Sequence, residues 1–306
     1  MFCSFQNSFV PPSSIPDERL FRHPVWSTWA YFKANVTEQL LSDYVAAMKK
    51  HRFECSLLSI DDGWAINHGD LEFDDNKFPT MAETIIKTLR HENIPVAVWI
   101  HPFVNLDSEC CKDSSNMKHF VRDNDGRPQA VQWWNGWGYL IDITSHDAQK
   151  WFTDRLDKFK RSTRVSAFKF DAGEVGSFFP KRFKLSAVEV MPNPNKYSAD
   201  YARFAASFGV LTEIRTGFCS QELPLMVRML DRDSHWGWRS GLKSVIPNCL
   251  TMGIVGYPFV LPDMIGGNGY NSQFPSKQYP FVLPDMIGGN GYNSQFPLKQ
   301  LFLRWL

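Results

Sequence analysis

The sequence predicts an α/β fold of the (β/α)8 TIM-barrel type, of which about seven barrel strands can be counted. Short apolar segments alternate with amphipathic helical segments along the 306 residues. The apolar segments are almost uninterrupted, which is typical of parallel strands covered by helices. They are also too numerous for a small doubly wound sheet, and the sequence therefore favours an incomplete barrel.

Seven segments supply the predicted barrel strands, and helices are predicted between them. The strand segments are "HPVWSTWAYF", "CSLLSIDDGW", "PVAVWIHPFV", "VSAFKFDAGE", "LTEIRTGF", "LPLMVRMLD" and "YPFVLPDMIGG". The helical segments are "TEQLLSDYVAAMKKHRF", "FPTMAETIIKTLRHENI", "SHDAQKWFTDRLDKFKRS", "YSADYARFAASFGV" and "SGLKSVIPNCLTMG". Thr37 is a plausible N-cap of the first helix, and the third helix is expected to begin near Ser145.

The chain divides into an irregular lead segment, residues 1–22, and a barrel fragment, residues 23–306. Within the fragment, an insertion runs from Asn105 to about Gly138 and carries "WWNGWG". We expect this insertion to lie outside the regular alternation of strands and helices.

A tandem duplication occupies the last predicted strand. Residues 257–278 are followed directly by residues 279–300, and the two copies differ only in Ser276 and Leu298. Two copies are too few for a solenoid. Since only one copy can fill one strand position, we expect the first to do so, because it follows the preceding helix by a short connection. The second copy is then an insertion with an apolar strand of its own.

Composition excludes several classes of function. The net charge is +1, from 33 basic and 32 acidic residues, and gives no electrostatic basis for binding nucleic acid. No apolar run of about 18 residues is present, so no membrane segment is predicted, and the N-terminus does not resemble a signal peptide. Six cysteines show no metal-ligand spacing, and neither a metal nor a cofactor is expected. The 45 aromatic residues, 25 of them Phe, suit either a sugar-binding cleft or a Phe-rich core.

Polar residues recur where the predicted strands end. They are Asp61, Asp62, His101, Asp171, Glu174, Arg215, Asp231, Asp233 and Asp263. In a TIM barrel this edge carries the active site. Cleavage of a glycosidic bond needs two carboxyl groups that reach one point from different elements, and Asp171 and Asp231 meet that description. The alternative is that they are unrelated surface acids.

Four segments, in this order, resemble glycoside hydrolase family 31: "FKFDAGE", "TEIRT", "MLDRDSHWGW" and "GYPFVLPDMIGG". The likeness runs from about His23 to Leu306 and is greatest to the branch of the myogenesis-regulating glycosidases. It implies a retaining α-glycosidase on a (β/α)8 barrel. We do not expect this sequence to contain the N-terminal β-sandwich, the eighth strand or the C-terminal β-domains of the family. Full-length relatives are expected in the secretory lumen or anchored to a membrane.

The resemblance implies a role for each matching residue. Asp171 would be the nucleophile, and Asp231, five residues before Trp236, would be the general acid/base, with Asp233 ranked second. The implied substrate-binding residues are Asp61, Trp134, Arg215 and Asp263. The alternatives are a structural ion pair for Arg215, a core position for Trp134, a turn cap for Asp61 and Asp62, and a structural role for His101.

Two functions follow from these observations. The first is hydrolysis of an α-linked sugar by double displacement, with a carbohydrate as the partner. An α-galactoside is favoured over an α-glucoside through the branch resemblance alone. The second is an inactive truncated glycosidase-like fragment or carbohydrate-binding scaffold, because one barrel strand is not found.

Overall fold

The computed structural model describes residues 9–81, 85–176, 179, 185–186, 193, 195–262 and 264–267. The strands are β1 (Val25–Ser27), β2 (Leu57–Ile60), β3 (Val96–Ile100), β4 (Phe103–Asn105), β5 (Ala130–Trp133), β6 (Gly136–Leu140), β7 (Ala167–Phe170), β8 (Glu213–Ile214), β9 (Met226–Arg228) and β10 (Val260–Leu261). The helices are α1 (Arg19–Arg22), α2 (Trp29–Phe32), α3 (Glu38–Lys50), α4 (Ile86–His91), α5 (Glu109–Lys112), α6 (His146–Thr163), α7 (Asn195–Ala206) and α8 (Leu242–Ile254). Two 3₁₀ turns, Lys33–Asn35 and Ser114–His119, are also present.

Seven strands form one curled parallel sheet, in the order β1-β2-β3-β7-β8-β9-β10. The strands β2, β3 and β7 are buried along their whole length, which explains their almost continuous apolar sequence. Because every neighbouring pair is parallel, the carboxyl ends of all seven strands meet at one edge. This half-barrel confirms the predicted incomplete (β/α)8 barrel.

A small apolar layer lies at the amino ends of the strands. Five strands each contribute one buried residue to it: Val25, Leu57, Ala97, Ala167 and Met226. Leu20 of α1 packs into the same layer. The adjacent Phe21 meets Phe259 edge-on, with ring centroids 5.8 Å apart. The segment that precedes β1 therefore contacts the segment that precedes β10, at the opposite end of the sheet.

The two predicted helix starts are confirmed by their capping hydrogen bonds. The Thr37 hydroxyl accepts from the Leu40 N–H at 3.3 Å, and the Ser145 hydroxyl accepts from the Ala148 N–H at 3.4 Å. Each bond satisfies one of the N–H groups that a helix leaves unpaired in its first turn.

The first predicted strand is shorter than expected. Only Val25–Ser27 pairs in the sheet, and the chain then enters α2. The Ser27 hydroxyl accepts from the Trp29 N–H at 3.3 Å, and the Thr28 carbonyl accepts from the Phe32 N–H at 3.0 Å. These local bonds end the strand, although the apolar pattern continues through Phe32.

The third predicted strand is divided in two. It leaves the barrel at His101, whose Nδ1 atom accepts the Phe103 N–H at 3.2 Å. Residues 103–105 then join a separate antiparallel sheet, in the order β4-β6-β5. The predicted insertion therefore contains a β-hairpin, β5–β6, whose strand β6 also pairs with β4, the strand that follows β3.

β10 comes from the first copy of the duplication, as expected. The second copy, residues 279–300, lies outside the described residues. Among the helices of the described ranges, none has both the length and the apolar character needed to cross a bilayer.

Candidate active site

The carboxyl ends of neighbouring strands bring the predicted polar residues together. Asp61 follows β2, His101 follows β3, Asp171 follows β7 and Arg215 follows β8. The register pairs Ile100 with Phe170, so that His101 and Asp171 come directly after paired positions. For these four residues, the predicted cluster at strand ends corresponds to an observed juxtaposition.

Asp171 lies at the centre of the cluster and is buried. Its Oδ1 atom accepts a hydrogen bond from Arg228 Nη2 at 2.8 Å and lies 3.2 Å from Arg215 Nε. Its Oδ2 atom accepts from Trp99 Nε1 at 2.9 Å. One carboxylate oxygen therefore faces two guanidinium groups, and the other has an indole donor.

This environment keeps Asp171 ionised. Burial alone would raise the pKa of the carboxyl group. The charges of Arg215, Arg228 and Lys169, together with the Trp99 hydrogen bond, outweigh burial and hold the pKa well below its usual value. At neutral pH Asp171 is a charged carboxylate in a largely water-excluded site.

The turn after Asp171 explains the "DAG" sequence. Ala172 and Gly173 both have positive φ, of 58° and 85°. A Cβ atom on Gly173 would lie 2.1 Å from the Tyr201 ring. Tyr201 in turn donates from its hydroxyl to the Asp171 carbonyl at 2.8 Å. Glycine is therefore required for the close approach that anchors the backbone of Asp171.

Arg215 connects Asp171 with three other predicted residues. Its Nη2 atom donates to Glu174 Oε1 at 3.2 Å, and its guanidinium carbon lies 5.4 Å from the centre of the Trp134 ring. Burial lowers the pKa of Arg215, but Asp171, Glu174 and Asp231 raise it, and the net direction is upward. Asp231 thus acts electrostatically on the same arginine as Asp171.

Asp61 forms a second buried ion pair beside Asp171. Lys169 Nζ lies 2.5 Å from Asp61 Oδ2, and the two side chains are 8 % and 6 % exposed. The Asp61 backbone N–H donates to the Thr28 hydroxyl at 3.0 Å. The same lysine contributes to the low pKa of Asp171, so the two carboxylates share one field of positive charge.

Asp62 and His101 form the neighbouring wall of the cluster. Asp62 accepts from Asn135 Nδ2 at 2.8 Å, and its other oxygen lies 2.9 Å from His68 Nε2. His101 packs between the Trp99 and Trp133 rings, with centroids 4.7 and 4.6 Å away. Burial, and then the charge of His68, lower the pKa of His101 to about 3, so its ring is neutral at physiological pH.

The remaining predicted residues are placed as follows. Trp134 is 42 % exposed, so the core alternative for this residue is wrong. Asp231 is partly buried, three residues beyond β9. Asp233 lies 3.8 Å from His235 through its carboxylate. Asp263 lies outside the described residues, and the separation of the Asp171 and Asp231 carboxyl groups stays a prediction.

Sequence reasoning missed three residues that touch the predicted acids: Trp99, Lys169 and Arg228. Lys169 and Arg228 are charged residues within otherwise apolar strands, "AFKF" and "MVR". Such residues are rarely buried unless they are paired, so a strand-internal charge is a usable signal for a buried partner. Trp99 gives no comparable signal, because an indole in a buried strand is ordinary.

A family model described as "Glycosyl hydrolases family 31 TIM-barrel domain" matches residues 23–306. The chain is 40 % identical over 271 residues to the myogenesis-regulating glycosidase of Mus musculus. That match covers 88 % of this chain and 37 % of the mouse protein. It is 25 % identical over 203 residues to the sulfoquinovosidase of Escherichia coli K12, covering 63 % of this chain and 29 % of that protein.

Solved structures show the same fold. A family 31 sulfoquinovosidase from E. rectale, in complex with an aza-sugar inhibitor, superposes with a TM-score of 0.76 and 17 % identity. The superposition covers 99 % of this chain and 44 % of the sulfoquinovosidase chain. The cycloalternan-degrading enzyme from Trueperella pyogenes superposes with a TM-score of 0.74 and 19 % identity. This superposition covers 99 % of our chain and 49 % of the enzyme's chain.

Proposed function

The chain belongs to glycosyl hydrolase family 31, and on that premise we propose that it supplies the catalytic barrel of a retaining α-glycosidase. In this proposal Asp171 is the nucleophile and Asp231 is the general acid/base. The observation that carries it is the environment of Asp171, a buried carboxylate at a strand end held by two arginines and one indole. The chain spans 37 % of the length of its mouse relative, so the proposal concerns the barrel and its chemistry.

The contacts of Asp171 suit nucleophilic attack. Oδ1 is oriented by Arg228 and Arg215, while within the described residues Oδ2 has the Trp99 donor alone and keeps a lone pair for the anomeric carbon. A charged carboxylate is the reactive form, and the depressed pKa keeps it in that form. Fixing the carboxylate beforehand also lowers the cost of reaching the reactive geometry.

The proposed reaction has two displacements. In the first, Asp171 forms a bond to the anomeric carbon as the glycosidic bond breaks, and the leaving oxygen takes a proton from Asp231. In the second, water attacks the same carbon, Asp231 takes a proton from the water, and the ester to Asp171 breaks. This requires the two carboxyl groups to lie about 5–5.5 Å apart across the cleft, the separation typical of retaining enzymes.

The sugar-binding side of the proposal rests on Trp134, Arg215 and Asp61. The exposed Trp134 ring, with the Arg215 guanidinium beside it, offers a flat apolar face next to Asp171. Asp61 can accept from sugar hydroxyls while Lys169 balances its charge. We expect an α-galactoside or an α-glucoside as substrate, with the α-galactoside favoured through the branch resemblance.

Hydrolysis of chromogenic α-galactosides and α-glucosides by the purified chain tests the proposal. We expect Asp171→Asn to lower kcat by about 10³-fold or more. We expect Asp231→Asn to impair substrates with poor leaving groups most, because these need protonation. Asp233→Asn is the matched control and should change neither. Equal turnover by the wild type and by Asp171→Asn would show that Asp171 is not the nucleophile and would contradict the proposal.

A second candidate is a carbohydrate-binding scaffold without catalysis. The observation that favours it is the half-barrel, whose described part has seven parallel strands. Calorimetric binding of a sugar, together with no turnover above the Asp171→Asn background, would favour this candidate.

A further inference from the structure

β10 occupies a well-defined position at the end of the parallel sheet. Val260 pairs with Val227 and Leu261 pairs with Arg228. Two backbone hydrogen bonds of 2.9 Å hold the pair, from the Val227 N–H to the Phe259 carbonyl and from the Met229 N–H to the Leu261 carbonyl. We call this position beside β9 the terminal strand slot.

Side chains around β10 fix the segment in the slot. Tyr257 is 8 % exposed, and its hydroxyl lies 3.1 Å from the Ser220 hydroxyl. Met264 is 4 % exposed. After the strand, the Gly266 carbonyl accepts from the Ser234 hydroxyl at 2.5 Å. These contacts, with the Phe259 ring against Phe21, are what the slot requires of its occupant.

Every one of these requirements is repeated 22 positions later in the sequence. Residues 257–275 and 279–297 are identical. The residues that fill the slot correspond to Tyr279, Phe281, Val282, Leu283, Met286 and Gly288 in the second copy. The slot therefore cannot distinguish the copies by side-chain contacts, because there is no difference to recognise.

We infer that the terminal strand slot has two alternative occupants within the same chain, and that the choice decides at which end of the barrel the 22 extra residues are connected. With residues 257–267 in the slot, the extra residues follow the strand and leave from its carboxyl end, where Asp171 lies. With residues 279–289 in the slot, they precede the strand and join α8 to its amino end. This inference is independent of the proposed chemistry.

The two arrangements are close in free energy. The extra length is the same in both, and the closure entropy of a loop depends only weakly on its length. One local difference favours the first copy, since the Tyr257 N–H donates to the Met252 carbonyl at 2.9 Å and caps α8. One backbone hydrogen bond changes an equilibrium about five-fold, so the second copy is expected in roughly a tenth to a third of molecules.

Stability measurements test the inference. In a chain that lacks residues 279–300, Tyr257→Ala should lower the folding equilibrium constant by about 100-fold, as expected for loss of a buried aromatic side chain. In the full chain the same substitution should lower it by only about three- to ten-fold, because the intact second copy takes the slot. Tyr257→Ala with Tyr279→Ala in the full chain should restore the large loss. An equal loss from Tyr257→Ala in both chains would overturn the inference.

Cross-linking gives a second measurement that does not depend on large destabilisation. Val227→Cys is combined with Val260→Cys in one full chain and with Val282→Cys in another, and mild oxidation is followed by peptide mass spectrometry. Val227→Cys with Val260→Cys in the chain that lacks residues 279–300 defines the yield for complete occupancy. We expect both full chains to cross-link, with yields that together approach that reference. A full reference yield for the Val260 pair, with none for the Val282 pair, would contradict the inference.

Discussion

Arg228 and Asp171 form a buried ion pair that connects two strands of the barrel, β9 and β7. Nη2 of the arginine lies 2.8 Å from Oδ1 of the aspartate, and their side chains are 2 % and 12 % exposed. Arg228 is the last residue of β9, and Asp171 follows β7, with β8 between them. The pair thus holds the carboxylate from a strand that is not its neighbour.

Removal of Arg228 should be costly for the fold. Arg228→Met leaves Asp171 as a buried charge with one partner fewer, and loss of one member of a buried pair costs about 3–5 kcal/mol. Urea denaturation measures this loss. The control is Arg22→Met, which breaks the exposed pair with Glu18 and should cost below about 1 kcal/mol. Similar losses for the two variants would show that Arg228 is not an important partner.

The stability of the protein should depend on pH through Asp171. The folded pKa of this group is depressed, so its ionised form stabilises the native state above the unfolded value of about 3.9. This contribution is lost as the pH falls from about 4 through the folded pKa. The difference in unfolding free energy between the wild type and Asp171→Asn should therefore shrink on acidification from pH 5 to pH 3. A difference that does not change with pH would contradict the depressed pKa.

His101 should also lower the stability of the protein as the pH falls, but over a different pH range. Its pKa is lowered from 6.5 to about 3, so protons bind the unfolded chain more readily between these values. Stability should fall as the pH decreases from about 6.5 towards 3, and His101→Phe should reduce this slope. The control substitution is His146→Asn, at a histidine whose side chain is 90 % exposed. If the pH dependence of stability is the same in His101→Phe as in the wild type, another group is responsible for it.

Trp99→Phe should affect Asp171 more than it affects packing. The substitution removes the N–H donor to Oδ2 and retains most of the ring. The pKa of Asp171 should rise, and the acidic limb of any pH–rate profile should move to higher pH. Trp64→Phe is a close control, because it also removes a buried indole bond, the one to the Trp99 carbonyl at 2.9 Å. A shift of the limb in both variants would point to packing rather than to the donor.

The sequence predicted the barrel because its signals are local and repeated. Thr37 and Ser145 could be identified as caps from their place before an amphipathic segment, and the strand ends followed from the apolar runs. The ends of β1 and β3 were wrong, because side-chain bonds from Ser27 and His101 redirect the backbone within apolar sequence. Hydrophobic periodicity carries no information about such bonds.

The partners of the acids were less accessible than the acids themselves. An aspartate at a strand end is visible in the sequence, but Arg228, the arginine that sequence reasoning missed, lies 57 residues from Asp171 on another strand. Such pairing depends on the strand order and register, which a single sequence does not specify. The pairing of β4 with β6 was missed for a related reason, since a long segment separates these two strands in the sequence.

The contact between Phe21 and Phe259 also bears on the order in which the protein is made. The ribosome releases Leu20 and Phe21 long before it has synthesised the residue against which Phe21 rests. During that interval Phe21 lacks the Phe259 ring, although Leu20 can already pack against the amino ends of the early strands. The apolar layer at the amino ends of the strands is therefore completed only after residue 259 has been translated. Nascent chains that stall before that point should be the most prone to aggregate.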